Sequence, residues 1–287
     1  MTALSPVANY HCKVGENPLW DEREGRLYWV DIESARLFRV EHESGAHECF
    51  YRDANAGAMI GGFSFQEDGS LLLFEVDRIA VLSKNGKRRL IAEGIDDGMV
   101  RFNDVIADPE GRVFAGTIGK TEQSGGLFRV DLDGTVTALW RGTGCANGMG
   151  FSPDLQRFYW TCSSTQLLYV ADYDRASGAL SNRREFYRAP QAEGIPDGMT
   201  VDRAGSIWTA RWGGAALLRL SSDAQLAERV PFPVSAVSSA AFGGPNLDVL
   251  YVTTAGGQVD DAALDGTLYR MPVVVPGTVE FRSRIRL

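Results

Sequence analysis

One short pattern occurs six times along the chain. Each copy has a turn rich in Asp, Gly or Pro, followed by an apolar triplet, and the first residues of successive triplets are 44, 42, 45, 49 and 43 positions apart. The triplets are Leu27-Tyr28-Trp29, Leu71-Leu72-Leu73, Val113-Phe114-Ala115, Phe158-Tyr159-Trp160, Ile207-Trp208-Thr209 and Leu250-Tyr251-Val252. A period of about 40 to 50 residues is typical of a repeat built from four short strands. The sequence therefore predicts an all-β fold, a six-bladed β-propeller with four-stranded antiparallel blades.

The segments between the triplets support this prediction. Apolar and polar residues alternate there, interrupted by Asp-Gly, Asn-Gly and Ser-Gly pairs, as in strands and hairpins. No long segment keeps an apolar period of 3.6 residues, so almost no helix is expected. A β-sandwich would also have short strands but would not need six nearly equal periods. We expect residues 1–287 to form a single propeller domain, with 183–194 as a charged surface loop and 281–287 as an exposed edge strand blunted by arginines.

Composition limits the possible partners and location. The chain is 44% hydrophobic, with a formal net charge of -8 and a sequence pI near 5.0, which disfavours nucleic acid and anionic membranes as partners. A small neutral or cationic molecule is the expected ligand. No secretory signal or spanning apolar run is visible, and the spacings of the four cysteines match no zinc-ribbon or redox-pair pattern. We therefore expect a cytoplasmic protein with free thiols, either a monomer or a weak homo-oligomer.

Residues at a constant distance before the triplets predict a metal site. Asn17, Asn103 and Asp197 stand ten positions before their triplets, Asn147 stands eleven before its own, and Glu16 precedes Asn17. The innermost strand of a propeller blade precedes the second by about this offset, so these side chains should converge on the central channel. Carboxylate and amide oxygens are ligands for a hard divalent cation such as calcium, magnesium or manganese.

Two alternatives compete with this site. None of the histidines, His11, His42 and His47, stands at this constant distance before a triplet. This argues against a histidine-rich zinc site and against a Ser-His-Asp triad. Asn147 and Asp197 each precede a glycine, and such pairs are also common turn residues. Four oxygen donors in one phase favour the site over a set of independent turns.

Five sequence strings resemble the gluconolactonase, senescence-marker-protein (regucalcin) and luciferin-regenerating-enzyme family. They are GENPLW (15–20), RFNDVIADPEGRVFAGT (101–117), ANGMGFSPD (146–154), IPDGMTVDRAGSIWTARWGG (195–214) and AFGGPNLDVLYVTTA (241–255). The resemblance implies a six-bladed propeller with one divalent metal in its channel and, for the characterised enzymes, hydrolysis of sugar lactones. Glu16, Asn147 and Asp197 match the metal ligands of the family. The cation implied is calcium, or else manganese, magnesium, zinc or iron(II).

The resemblance also assigns residues to substrate. Arg101 and Asn103 match the pair that contacts substrate hydroxyls, and Glu122 matches a further acid in a loop of variable length. Cys162 lies in a Thr-Cys-Ser string where many members have an aspartate, which puts any role of that acid in doubt here. From its chemistry, Trp212 could form a wall of the pocket or belong to the core.

These residues predict a metal-dependent hydrolase that opens an aldonolactone to its aldonic acid. Metal-activated water would be the nucleophile, Asp197 the base, and Glu16 the alternative base. Two other functions stay open, a non-catalytic calcium-binding propeller and a phosphotriesterase-type hydrolase. Neither the particular lactone nor the native metal follows from the sequence.

Overall fold

The predicted β-propeller is confirmed. The structure, a computed structural model, describes residues 4–256 and 264–286. Its strands form six four-stranded antiparallel sheets, the blades. In the described residues the single helix is a 3₁₀ turn, Gln191–Glu193, so the expectation of almost no helix is also confirmed. No helix in these residues is long and apolar enough to cross a membrane.

The strands are numbered in chain order. The chain begins with β1 (Ser5–Asn9), followed by blade 1, which contains β2 (Gly15–Asp21), β3 (Arg26–Asp31), β4 (Arg36–Glu41) and β5 (His47–Arg52). Blade 2 contains β6 (Gly62–Phe65), β7 (Leu71–Phe74), β8 (Arg78–Leu82) and β9 (Arg88–Glu93). Blade 3 contains β10 (Met99–Ala107), β11 (Val113–Gly119), β12 (Gly126–Val130) and β13 (Val136–Arg141).

The second half repeats the arrangement. Blade 4 contains β14 (Ala146–Phe151), β15 (Arg157–Cys162), β16 (Leu167–Asp174) and β17 (Ala179–Arg188). Blade 5 contains β18 (Ile195–Val201), β19 (Ile207–Trp212), β20 (Ala216–Leu220) and β21 (Leu226–Pro231). Blade 6 contains β22 (Val237–Gly243), β23 (Val249–Thr254), β24 (Thr267–Pro272) and, as its fourth strand, β1 from the other end of the chain. Pairing of β1 with β24 closes the ring through backbone hydrogen bonds.

The apolar triplets occupy the second strand of every blade. Trp29 on β3 and Trp160 on β15 are among the largest fully buried side chains, and neighbouring blades pack through such residues. The first strands β2, β6, β10, β14, β18 and β22 surround the channel. We call the end where these strands begin the upper end and the end where they finish the lower end.

Two sequence expectations about the surface were wrong. Segment 183–194 is mostly not a loop, because β17 continues to Arg188 as the exposed outer strand of blade 4. Segment 276–286, which we call the C-terminal strap, is not an exposed edge strand, because it crosses the lower end of the channel with Arg282, Ser283 and Ile285 buried. Leu287 lies outside the described residues.

Backbone hydrogen bonds tie the strap to several blades. Arg203 N donates to Pro276 O at 2.9 Å, Ser283 N to Phe65 O at 2.7 Å, and Arg286 N to Leu132 O at 2.7 Å. These bonds reach blades 5, 2 and 3. The strap therefore forms a floor beneath the channel.

A buried ion pair fixes the strap to blade 1, and its loss should destabilise the fold. Arg282 Nη2 lies 2.6 Å from Asp21 Oδ1, with side chains only 6% and 8% exposed. We expect Arg282→Ala to lower the free energy of unfolding by about 3 kcal/mol, because Asp21 keeps a buried charge without its main partner. Denaturant unfolding measures this. The matched control is Arg175→Ala, which removes an exposed pair with Glu110 and should change the same quantity by less than about 1 kcal/mol.

Candidate active site and metal centre

A cavity of about 710 Å³ opens at the upper end of the channel. Its lining includes the five main residues predicted from the sequence, Glu16, Arg101, Asn103, Asn147 and Asp197. They come from the first strands of blades 1, 3, 4 and 5. The constant distance before the triplets thus corresponds to a shared position on the inner strands, except in blade 1, where Glu16 lines the cavity and its neighbour Asn17 does not.

Local irregularities in these strands present the site residues. Neither Asn147-Gly148 nor Asp197-Gly198 is a turn, because both pairs lie within strands. The register shifts between Asn147 and Met149 and between Pro196 and Met199, which marks a bulge at each position. The glycines allow the inner strands to approach each other: a Cβ on Gly148 would lie 2.5 Å from Met199 N.

The three predicted metal ligands lie buried at the bottom of this cavity. Glu16 and Asp197 are each 5% exposed. Glu16 Oε2 accepts a hydrogen bond from Asn17 N at 2.9 Å. The Asn147 amide Nδ2 donates to Asp197 Oδ1, and to Ser163 Oγ at 3.2 Å.

The electrostatics of this cluster favour a positive charge or a proton. Burial raises the pKa of Glu16 well above its ordinary value, and the charges of Asp197 and Asp104 raise it further. The hydrogen bond from the backbone amide of Asn17 lowers this pKa but does not cancel the shift. Burial also raises the pKa of Asp197, as does Asp104, while the Asn147 amide and Arg101 oppose the shift. A bound cation would relieve the repulsion between these carboxylates.

The donor set suits a hard cation. It consists of two carboxylates and one amide; within residues 4–256 and 264–286 no group of three or more His, Cys, Asp and Glu side chains forms a metal site. Oxygen ligands are those preferred by calcium, magnesium and manganese, whereas zinc usually takes nitrogen and sulfur ligands. The residues present therefore fit a calcium-type ion better than zinc.

Arg101 and Asn103 form a hydrogen-bonded pair beside the carboxylates. Arg101 Nη1 donates to Asn103 Oδ1 at 2.6 Å and to Phe102 O at 2.9 Å, while Asn103 Nδ2 donates to Ala146 O at 3.0 Å. Burial lowers the pKa of Arg101 from its ordinary value, but a guanidinium remains charged at neutral pH. Asn103 thus fixes the orientation of Arg101, whose remaining N–H groups can donate to a ligand.

The remaining predictions have mixed outcomes. Trp212 is half-buried and lines the cavity. Glu122 is exposed in the turn between β11 and β12, is not brought together with the other site residues, and stays a prediction. His11, which does not share the spacing of the oxygen donors, also lines the cavity. Cys162 is buried, and its Sγ donates to Thr143 O at 2.7 Å.

Other cavity residues were missed by the sequence reasoning. Lys13, Glu33, Ile118, Cys145, Ser163, Ile195 and Asp265 also line the cavity. Most lie near strand ends or in loops and do not recur at a constant distance before the triplets. The repeat therefore did not indicate that they line the cavity. All four cysteines are free thiols, as expected, and burial raises the pKa of Cys145 to about 12.

Fold and site together define a class of protein, a six-bladed propeller with a buried oxygen-donor cluster and an arginine at one mouth of its channel. Residues 14–256 match the family model described as SMP-30/Gluconolactonase/LRE-like region. The chain belongs to this family, as the five sequence strings had indicated.

Relatives with assigned names span nearly the whole chain. Pentonolactonase XacC of Haloferax volcanii is 46% identical over 297 residues, covering 99% of both chains. The 6-deoxy-6-sulfogluconolactonase of Pseudomonas putida is 32% identical, covering 96% of this chain and 97% of its own. Among solved structures, the calcium-binding protein regucalcin from Agrobacterium tumefaciens is similar with a TM-score of 0.90 and 26% identity, covering 100% of this chain and 98% of the other.

Proposed function

We propose that this protein is a sugar lactonase that hydrolyses an aldonolactone to its aldonic acid. The observation that carries the proposal is the single cavity in which two buried carboxyls, an amide and a fixed arginine converge. Relatives named as lactonases of a pentose-derived and of a sulfonated hexose-derived sugar support this substrate class. The 46% identity of the pentonolactonase favours five-carbon lactones as the first substrates to test.

Glu16, Asn147 and Asp197 would hold one divalent cation, for which calcium is the first candidate. To serve as a ligand, the Asn147 amide would have to present Oδ1, whereas Nδ2 faces Asp197 here. We therefore expect the amide to turn over when a cation binds. A bound divalent cation would supply a Lewis acid for the lactone carbonyl and a lowered pKa for water.

Different side chains of the cavity would bind the substrate and transfer the proton during hydrolysis. Arg101 would bind substrate oxygens through its free N–H groups, and the half-buried Trp212 would pack against the C–H face of the sugar ring. Asp197 would accept a proton from the attacking water. It would then give this proton to the ring oxygen as the bond between that oxygen and the carbonyl carbon breaks. Product release leaves an aldonate and one proton in solution.

A substrate panel tests the proposed function. Acid release should be measured for pentono-1,4-lactones, hexonolactones and the organophosphate paraoxon, in metal-loaded protein and with a chelator. We expect turnover of the hydroxylated lactones, dependent on the cation. Binding of calcium without lactone turnover would favour the non-catalytic calcium-binding reading, and faster turnover of paraoxon would favour the phosphotriesterase reading.

Removing Arg101 should separate substrate binding from metal binding. We expect Arg101→Ala to lower kcat/KM by roughly 10- to 100-fold, because a charge-assisted hydrogen bond of about 1.5–3 kcal/mol is lost. Affinity for the cation should stay near that of the wild type. Steady-state kinetics and a cation titration measure the two effects.

Arg101→Lys is the matched variant. It keeps the charge but loses the planar fork, so it should recover only part of the activity. If Arg101→Ala lost cation and activity together, Arg101 would be a structural residue of the metal centre.

A further inference from the structure

A second polar chamber lies in the channel below the proposed metal centre. Its volume is about 30 Å³, and its walls are the inner strands and the C-terminal strap. The polar side chains in its lining are Asn17, Ser64, Asp104, Ser239 and Glu280. A space of this size has room for one or two water-sized particles.

Two carboxyls face this chamber. Asp104 on β10 is 8% exposed, and its Oδ1 accepts a hydrogen bond from Val105 N at 2.8 Å. Glu280 comes from the strap, and its carboxyl and that of Asp104 line the same chamber. None of the described residues in this lining is basic. Burial raises the pKa of both carboxyls to about 7, and the charge of Asp104 adds to the shift of Glu280.

A hydroxyl in the same chamber lacks a partner. Ser239 on β22 is 4% exposed, and its Oγ makes no hydrogen bond with the residues that the structure describes. The other two polar side chains are engaged, since Asn17 Oδ1 accepts from Phe63 N and Ser64 Oγ donates to Phe65 O at 3.3 Å. A hydroxyl that faces such a chamber can be satisfied by water or by an ion inside it.

The chamber has a neighbouring cavity at the lower face. Glu280 also lines a neighbouring cavity of about 170 Å³, between blades 3, 4 and 5 and residues 278–281 of the strap. Glu280 is therefore shared by both cavities, whereas neither Glu16 nor Asp197 lines either of them.

We infer that the chamber is a second cation site, with the carboxylates of Asp104 and Glu280 and the hydroxyl of Ser239 as ligands. Calcium takes about six to eight oxygen ligands in flexible geometry, so both carboxylates would bind through both of their oxygens, and the Ser239 hydroxyl and one water would complete the shell. Magnesium is less suited, because it demands near-ideal octahedral geometry and usually keeps several waters. The bound ion would join the strap to blades 3 and 6. This site does not depend on the lactonase activity of the upper cavity.

Counting bound calcium tests the inference. Metal-stripped full-length protein should be dialysed to equilibrium against calcium, and the bound metal measured by atomic spectroscopy. We expect two equivalents for the wild type, one for Glu280→Gln, one for Asp197→Asn, and none for the double variant. Glu280→Gln should keep its lactone turnover, because it leaves the upper cavity unchanged.

A control variant and a melting measurement make the count decisive. Glu110→Gln is the matched control, since this exposed carboxyl contacts the strap through Arg284 but does not line the chamber, and it should retain two equivalents. Calcium should raise the melting temperature of Asp197→Asn, which keeps the lower site, and not that of the double variant. One equivalent in the wild type that Glu280→Gln retains, or two in Glu280→Gln, would overturn the inference, whatever the result of the lactonase assays.

Discussion

Replacing Asp197 with asparagine should lower kcat for lactone hydrolysis by about 10²- to 10⁴-fold, the range for loss of a general base. The upper cation should also be lost or bound much more weakly, because a carboxylate ligand is replaced by a neutral amide. Steady-state kinetics and cation titration of the folded variant measure both effects. Unchanged cation affinity would show that Asp197 is not a ligand of the metal.

The fold of this variant should survive, which separates the loss of function from unfolding. Asp197 is a buried acid whose pKa in the folded protein lies above its ordinary value near 3.8. Such a group favours folding while it is protonated, and this contribution disappears as the pH rises through the folded pKa. In metal-free protein, Asp197→Asn should therefore melt at the same or a higher temperature than the wild type at neutral pH. Asp223→Asn, on an exposed turn of blade 5, is the control and should change neither activity nor stability.

Lactone opening should proceed without a covalent intermediate. The candidate nucleophiles in the cavity are not activated: Ser163 Oγ donates to Pro196 O at 2.7 Å, and burial holds the pKa of Cys145 at about 12. We expect no stoichiometric burst, no inhibition by serine-directed covalent reagents, and complete loss of turnover with a chelator. Stopped-flow measurement of acid release tests the first expectation.

An isotope experiment distinguishes water from a carboxylate as the nucleophile. A single turnover in water labelled with heavy oxygen should place one label in the product carboxylate and none in the protein. Attack by Asp197 or Glu16 would instead form a mixed anhydride, and attack of water on its side-chain carbonyl would transfer an unlabelled protein oxygen to the first product and leave the label on that side chain. Protein and product mass spectrometry would show either result, and the second would refute direct attack by water.

The repeat was readable from the sequence because it reflects local structure. Each triplet lies in a second strand that is buried on both faces, so it is a short continuous apolar run in the sequence. The phase before the triplets predicted the positions of Glu16, Asn147 and Asp197 for the same reason, since one blade offset applies around the ring. The expectation for 183–194 failed because an exposed outer strand such as β17 carries charged residues on both faces, as a loop does.

The strap and the lower chamber were not predictable in this way. Ser283 forms a hydrogen bond with Phe65, which is 218 positions away in the sequence. Arg282 forms one with Asp21, which is 261 positions away. No local pattern records such contacts, and the arginines of the strap resemble those of an exposed strand until their partners are known. The rim residue His11 was missed for a similar reason, because the loop that carries it follows no period.

The sequence by itself thus determined the number of blades, the strands that face the channel and the donors of the upper cavity, because these features depend on short patterns repeated at one spacing. Tertiary structure decided how the ring closes through β1, which end of the channel the strap seals, and that Asp104 and Glu280 share one chamber. These features depend on which distant segments pack together, and packing is settled only when the whole chain buries its apolar surface.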